Sequence, residues 1–262
     1  LDALSEQGMR FTDAYANSPN CAPTRAALLS GQYAPRTGIY TVNSPKRGPD
    51  AQRKLIPAKN NRTLDPKVVT LAESLQAAGY ATCHVGKWHL GQGATTGPEG
   101  QGFDQNIGGN QKGHPPSYFS PYRNSNLPDG PKGEYLTHRI TDEAIAFIGE
   151  PRKKPFFLYL PYYTVHTPIQ PHGEDLGLIE KRAPGKVHSN ARYGAMVEGM
   201  DRQVGRILTA LKTLEVEDNT IVVFFSDNGG KSPETDMLPL RGSKGMLYEG
   251  GIRVPMIVRW PG

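Results

Sequence analysis

The amino-acid sequence predicts an α/β domain of three layers, with helices on both faces of a mostly parallel central sheet. Two apolar runs carry most of that inference, Phe156-Phe157-Leu158-Tyr159-Leu160 and Ile221-Val222-Val223-Phe224-Phe225. Neither shows polar alternation, which is the pattern of strands buried on both faces in a parallel sheet covered by helices. Between them Tyr193, Met196, Val197, Met200, Val204, Ile207, Leu208 and Leu211 recur at helical spacing, so a long amphipathic helix separates the two strands. Alternation of helix and strand argues for a layered α/β domain, and 262 residues are enough for one with a sizeable core.

The remaining elements follow in order. Residues 1–8 read as the last turns of a helix stopped by Gly8, and residues 9–16 alternate weakly enough to form a strand. Ala26 to Leu29 are good helix formers, and Gly31 is placed to close that helix. Residues 41–66 are rich in Pro, Lys, Arg, Asn and Gly and predict a mobile surface loop. Thr70 and Glu73 have capping-box spacing, with Gly79 ending the helix they start and a strand expected over residues 80–86. Residues 91–133 are rich in Gly, Pro, Asn and Gln, with aromatics at Phe103, Tyr118, Phe119 and Tyr122. Such a stretch reads as a substrate-facing excursion or as a floppy insertion. Residues 135–148 predict a helix with Ile140, Ala144, Phe147 and Ile148 inward, and residues 254–262 a strand followed by a turn.

Composition narrows the function classes. The mean hydropathy is −0.53, and no apolar run is long enough to span a membrane. Thirty Lys and Arg against 25 Asp and Glu leave a formal charge of +5, with no dense basic block. Nucleic-acid binding is therefore unsupported, while a mild positive balance suits anionic substrates. Two cysteines, Cys21 and Cys83, build no disulfide framework. They can pair once, but a reactive Cys21 leaves Cys83 as a buried strand residue. The chain opens without an initiator methionine or a signal peptide, which reads as an internal piece of a longer gene.

Four clusters carry chemistry. Cys21-Ala22-Pro23-Thr24-Arg25 places a cysteine at a helix start with an arginine one turn on. Unpaired N–H groups and the helix dipole there favour a tetrahedral oxyanion, and Arg25 adds donors for the same anion. A lone cysteine before a surface helix is the plain alternative, and a tyrosine-phosphatase loop needs a longer gap than Cys21 to Arg25. Lys87-Trp88-His89 follows the second expected strand and offers an anion holder and a proton carrier; taken alone, its default reading is a surface Lys and a half-buried His. His166, before Thr167-Pro168, is a candidate acid for a leaving group or a satisfied loop histidine. Asp227-Asn228-Gly229-Gly230 ends the Ile221 strand with two adjacent oxygen ligands, suited to Ca²⁺ or Mg²⁺ or to an Asx turn. Strand carboxyl ends are where sites gather in open α/β sheets.

Taken together, Cys-x-Pro-x-Arg, Gly-Lys-Trp-His-Leu-Gly, a His before Thr-Pro, Ser-Asp-Asn-Gly-Gly and the block from Arg241 to Pro255 resemble, in this order, the formylglycine-dependent (type I) sulfatases. The likeness is arylsulfatase-like, within the alkaline phosphatase superfamily, and covers essentially the whole chain. It implies an alkaline-phosphatase-like fold and a partial catalytic domain over residues 1–262, with long loops at 41–66 and 91–133. The domain would lack its first strand and the C-terminal subdomain. It also implies hydrolysis of aryl or carbohydrate sulfate esters. Cys21 would be oxidised to formylglycine by a maturation enzyme, and its hydrate would attack sulfur. Arg25 would steady that hydrate, Lys87 and Lys244 would hold sulfate oxygens, and His166 would protonate the leaving group. His89 would take the last proton, and Asp227, Asn228 and the modified Cys21 would ligate Ca²⁺ (or Mg²⁺). Periplasmic or secreted location follows from the resemblance alone.

The family's first strand ends in paired aspartates, and no Asp-Asp pair occurs here. Fewer carboxylates weaken divalent binding, so the fragment is expected to be a poor enzyme by itself. A homo-oligomer could cover the edge left by a missing strand. Two other functions stay open: a phosphomonoester or phosphonate hydrolase of the same superfamily, and a non-catalytic binder of sulfated glycans. Residues 130–137 resemble bacterial sulfatases acting on carbohydrates, and the aromatics of 91–133 suggest stacking on a ring.

Overall fold

A computed structural model describes residues 1–46 and 48–261. The chain runs α1 (Asp2–Glu6), β1 (Met9–Phe11), α2 (Cys21–Ser30), α3 (Ala34–Thr37), α4 (Leu71–Ala77), β2 (Ala81–Val85), α5 (Gly93–Thr96) and β3 (Gln105–Ile107). It continues through α6 (Leu136–Gly149), β4 (Phe156–Tyr159), α7 (Gly173–Ile179), α8 (Ala191–Thr213), β5 (Val222–Phe225), α9 (Glu249–Ile252) and β6 (Met256–Arg259).

The strands form two three-stranded sheets, ordered β3-β2-β4 and β1-β6-β5. The first is wholly parallel, with Cys83 opposite both Gln105 and Leu158. Because side chains alternate along a strand, it packs differently on its two faces. Cys83, Val85 and Leu158 join Tyr118, Ile140, Phe147 and Met196 in one core, beneath α6 and α8. Phe157 and Tyr159 join Ala26, Leu29, Ala72, Trp88 and Phe103 in the other, beneath α2 and α4. These two cores give the three layers that the sequence predicts.

Local signals act as expected in several places. Thr70 Oγ1 accepts from the Glu73 N–H at 3.1 Å while Glu73 Oε2 accepts from the Thr70 N–H at 2.7 Å, completing the capping box. Gly31 closes α2 at φ 64°, in the left-handed region. The four residues expected inward on α6 are buried, as is Cys83. Gly8 acts by close approach rather than as a left-handed stop. A side chain there would meet the Val258 carbonyl oxygen at 2.4 Å, where β1 runs beside β6.

Other expectations need correction. The 9–16 strand shortens to three residues with Tyr15 bridging Arg253. β5 is not a parallel strand buried on both faces: it pairs antiparallel with β6, and Val223 is 58% exposed. Residues 91–133 are neither floppy nor an aromatic platform. They contain β3, and Phe103, Tyr118 and Tyr122 are buried in the core. The 41–66 loop is irregular, but its end is anchored, with Leu64 fully buried and its N–H donating to the Leu90 carbonyl. Arg47, inside that loop, lies outside the described residues.

β4 and β5 are each paired on one side only. Between the two sheets opens a cleft of about 3290 Å³, lined among others by Phe157, Tyr159, Met200, Val204, Val222 and Phe224. The apolar stripe of α8 thus borders this cleft instead of a covering strand.

The two ends of the 41–66 loop should respond differently to truncation. Leu64→Ala is expected to cost about 2–5 kcal/mol, as for a buried leucine, whereas Leu55→Ala, 83% exposed, should stay within about 0.5 kcal/mol. Urea unfolding of both variants checks the contrast.

Candidate active site

The predicted site residues converge at the carboxyl ends of the strands. α2 begins at Cys21 with Asn20 extended before it and no side chain capping its first turn. Thr24 folds the approach, accepting from the Ser18 N–H at 3.2 Å and donating to the Ser18 carbonyl at 2.9 Å. With Pro23 lacking an N–H and the Thr24 N–H bonded to the Asn20 carbonyl, the Cys21 and Ala22 N–H groups are the first-turn donors that no capping side chain takes. Cys21 Sγ lies 3.3 Å from His89 Nδ1.

Arg25, one turn on, is buried and makes two bonds. Its Nε donates to Asp227 Oδ2 at 2.7 Å and its Nη1 to the Lys87 carbonyl at 2.6 Å. One guanidinium therefore joins the end of β2 to the end of β5. Lys87, also buried, brings Nζ to 4.0 Å from the same Asp227 oxygen. Its backbone is set by Gly86, whose φ of 120° few other residues adopt. A side chain there would strike the Pro161 carbonyl at 2.3 Å, the group that accepts the Lys87 N–H.

His89 sits at φ 66°, which is strained for a residue with a Cβ. The buried Trp88 and Leu90 on either side and the His89 N–H bond to the Asn110 carbonyl at 3.0 Å hold it there. His166 follows β4, with Nδ1 3.0 Å from the Thr167 carbonyl and its ring stacked 5.9 Å from His114. Lys244 arrives from the loop before α9: its N–H donates to the Gly230 carbonyl, and the Gly245 N–H donates to the Pro19 carbonyl just before α2.

The electrostatics favour an anion. Burial pushes the Asp227 carboxyl up, but Arg25, Lys87 and Lys244 together hold it well below the usual carboxylate range. Burial opposes the Arg25 charge, and Asp227 more than offsets it. Lys87 is lowered by its burial. His89 and His166 are both pushed down to about 3, first by burial and then by the neighbouring cations. Three cations thus surround one carboxylate, with two neutral imidazoles beside them.

Oxygen donors for a divalent cation come from Asp227 and Asn228. Asn228 Oδ1 is buried without a hydrogen-bond partner, while its Nδ2 donates to the Gly229 carbonyl at 2.9 Å. An orphaned amide oxygen beside a carboxylate matches a hard cation in kind, although Ca²⁺ takes roughly six to eight oxygens. Among the described residues no group of three metal-type side chains includes Asp227. The one group of three metal-type side chains, His138, His172 and Asp175, lies on other elements and outside the cleft lining.

All eight predicted site residues, Cys21, Arg25, Lys87, His89, His166, Asp227, Asn228 and Lys244, belong to this one region, linked by the bonds and charge interactions above. Sequence reasoning missed His114, which stacks on His166, and Asn110, whose carbonyl fixes His89. Gly113-His114-Pro115 in a Gly/Pro-rich segment was the available signal for the first.

A thiol, two histidines and the buried cations Arg25 and Lys87 meet at a helix start on an α/β scaffold, an arrangement suited to holding an anion. The sulfatase family's sequence model matches residues 1–262, and the chain belongs to that family. It is 33% identical to a sulfatase of Formosa agariphila, with all of this chain and 57% of that protein aligned. It is also 33% identical to N-acetylgalactosamine-6-sulfatase of Homo sapiens, covering all of this chain and 52% of the relative. The crystal structure of Ps i-CgsB in complex with k-i-k-neocarrahexaose superposes with a TM-score of 0.82 at 33% identity, over 99% of this chain and 59% of that one. The chain therefore spans just over half the length of the relatives it matches. Family membership carries with it, in general, a divalent metal and formylglycine. No helix among the described residues is long and apolar enough to cross a membrane.

Both imidazoles bind protons more weakly folded than free, so acid favours the unfolded chain. Stability should fall as the pH drops below about 6.5 and level off near the folded value of about 3. Asp227 acts in the same direction at lower pH, since its depressed value makes its contribution present above the unfolded value of 3.8 and lost as pH falls further. His166→Gln is expected to flatten the slope between pH 6 and 4 in urea-unfolding series, and an unchanged slope would contradict the assignment.

Proposed function

We propose that the whole protein hydrolyses sulfate esters, with residue 21 as formylglycine and a divalent cation, Ca²⁺ or Mg²⁺, at Asp227 and Asn228. The observation that carries this reading is the juxtaposition of Cys21 Sγ with His89 Nδ1 at 3.3 Å, at an uncapped helix start beside the Arg25–Asp227 pair. A sulfate ester needs a strong nucleophile, neutralised nonbridging oxygens and a protonated leaving group.

The hydrate of a modified residue 21 supplies an attacking hydroxyl and a second one, and the cation supplies positive charge beside them. The rest falls to this chain's own residues. Lys87 and Lys244 hold sulfate oxygens by charge. Arg25 is committed to Asp227 and Lys87, so it orients the site more than it binds substrate. His89, neutral and 3.3 Å from residue 21, is placed to take a proton from the remaining hydroxyl. Without a bound anion His166 favours its neutral form, first because it is buried and then because Lys244 and Lys87 oppose its charge. A sulfate group seated on those lysines offsets that repulsion, favours the imidazolium and readies His166 to protonate the leaving oxygen.

For substrate we favour a carbohydrate sulfate, since relatives include an N-acetylgalactosamine-6-sulfatase and a protein solved with a neocarrahexaose. The aromatics of 91–133 do not supply a stacking platform, because Phe103, Tyr118 and Tyr122 are buried and Phe119 packs against Tyr135. A phosphoester or phosphonate substrate is not favoured, as the relatives are named sulfatases.

Expression beside a formylglycine-generating enzyme should convert Cys21, read in the mass of the tryptic peptide spanning residues 11–25 as replacement of the thiol by an aldehyde or its hydrate. The converted full-length protein should turn over aryl sulfate faster than aryl phosphate, and Cys21→Ala should lose at least about a hundredfold. Retained turnover in Cys21→Ala, or preference for the phosphate, would overturn the reading.

A further inference from the structure

One cluster of metal-type donors has no part in the site above. His138 lies on the first turn of α6, His172 caps α7 and Asp175 lies within α7. Their donor atoms all fall within 4.8 Å of one another. The two imidazoles stand 4.9 Å apart at a tilt of 56°, with Tyr135 packed against both at 5.2 and 5.4 Å. Two of the donors are buried without a partner, His172 Nδ1 and Asp175 Oδ2. Asp175 is only 2% exposed, and its other oxygen faces Arg202 Nη2 at 3.2 Å. Buried carboxylate oxygens without partners are rare, because each forfeits its water without replacement. None of the three lines the cleft.

We propose that His138, His172 and Asp175 form a binding site for a zinc-type divalent ion, separate from the cation at Asp227. The donor set decides the class: two imidazole nitrogens and one carboxylate oxygen suit zinc and its neighbours, whereas calcium and magnesium take oxygen. Asp175 is held as ligating carboxylates commonly are, with a second group, here Arg202, on the oxygen away from the ion. Burial makes the unpaired Asp175 oxygen costly, and a bound ion would complete it.

The geometry is that of an open site. Zinc–donor distances of about 2.0–2.2 Å put tetrahedral donors about 3.4 Å apart, so the side chains close by about an ångström on binding. Both histidines are half-buried, which leaves a route for the ion and a fourth position for water. Other charges facing His138 are Asp142 and Arg206, which pair with each other at 2.5 Å, while Arg202 faces Asp175. Arg202 opposes a cation, and Asp175 shared between the two offsets it.

The consequence is a brace. The segment leading from His166 to α7 already contacts the core through Gln170, whose Oε1 accepts from the Tyr118 N–H at 2.9 Å and whose carbonyl accepts from the Tyr135 hydroxyl at 3.0 Å. An ion at His172 and Asp175 ties the far end of that segment to α6. Binding would stabilise the fold and steady the approach to His166 without entering the chemistry.

Equilibrium dialysis against zinc alone, with metal content and histidine NMR as readouts, tests this on wild type, His138→Gln, His172→Gln and Asp227→Asn. Cobalt absorption is recorded alongside. One zinc is expected in wild type and in Asp227→Asn, with the His138 and His172 signals shifted and visible cobalt bands. Affinity should drop at least about tenfold in either histidine variant, each checked for native circular dichroism. Should a variant fail that check, the wild-type NMR shifts decide. No zinc, no shift at His138 and His172, or zinc that Asp227→Asn removes and His138→Gln keeps would each overturn the proposal. The His138 and His172 NMR shifts and the loss on His138→Gln or His172→Gln do not involve residue 21, so these readouts are independent of ester hydrolysis.

Discussion

The buried pair between Arg25 and Asp227 is the constraint on which the rest of the site depends. Arg25 belongs to a helix packed on one face of the parallel sheet, and Asp227 ends a strand of the other sheet. With its second nitrogen on the Lys87 carbonyl, one guanidinium fixes three segments that no strand pairing joins. The pair also decides the sign of the pocket. Asp227 is largely used in neutralising Arg25, so the positive charge of Lys87 and Lys244 remains for a ligand. That residual charge, acting with burial, keeps His89 and His166 neutral.

The cleft between the sheets follows from strand pairing. β4 and β5 each expose a free edge to it, and apolar side chains of α8 line it. Such edges ordinarily acquire a partner, because unpaired backbone groups and apolar surface are both costly. The active-site residues stand at the end of this cleft, carried by turns from both sheets. Their spacing therefore depends on the Arg25 bridge as much as on either sheet.

Where local physics decides the outcome, the sequence was legible. Thr70 and Glu73 form their capping box because the two bonds are made within four residues. The inward residues of α6 follow from helical periodicity. Three of the four motif clusters, at Lys87, His166 and Asp227, fall at strand ends because a turn must follow each apolar run, and the fourth opens helix α2. Elsewhere tertiary context decides. An apolar run such as 221–225 has the same composition whether it is buried on two faces or borders a cleft beside an antiparallel neighbour. The aromatics of 91–133 lie in a segment whose glycines and prolines argue for a surface loop. Yet Tyr118 is drawn into the core, where its hydroxyl donates to the Tyr163 and His166 carbonyls at 2.7 and 2.9 Å. His114 escaped notice because its partner, His166, is remote in sequence.

The most direct test of the Arg25 bridge is a double-mutant cycle on stability with Arg25→Met, Asp227→Asn and the double variant. Either single change leaves a buried charge without its partner, and roughly 3 kcal/mol is expected from each, the low end for a buried pair because Asp227 keeps 22% of its side chain exposed. The account predicts that the double variant loses clearly less than the sum of the two singles. Strict additivity would show that the two residues act independently, and would contradict the bridge as the element that organises the site.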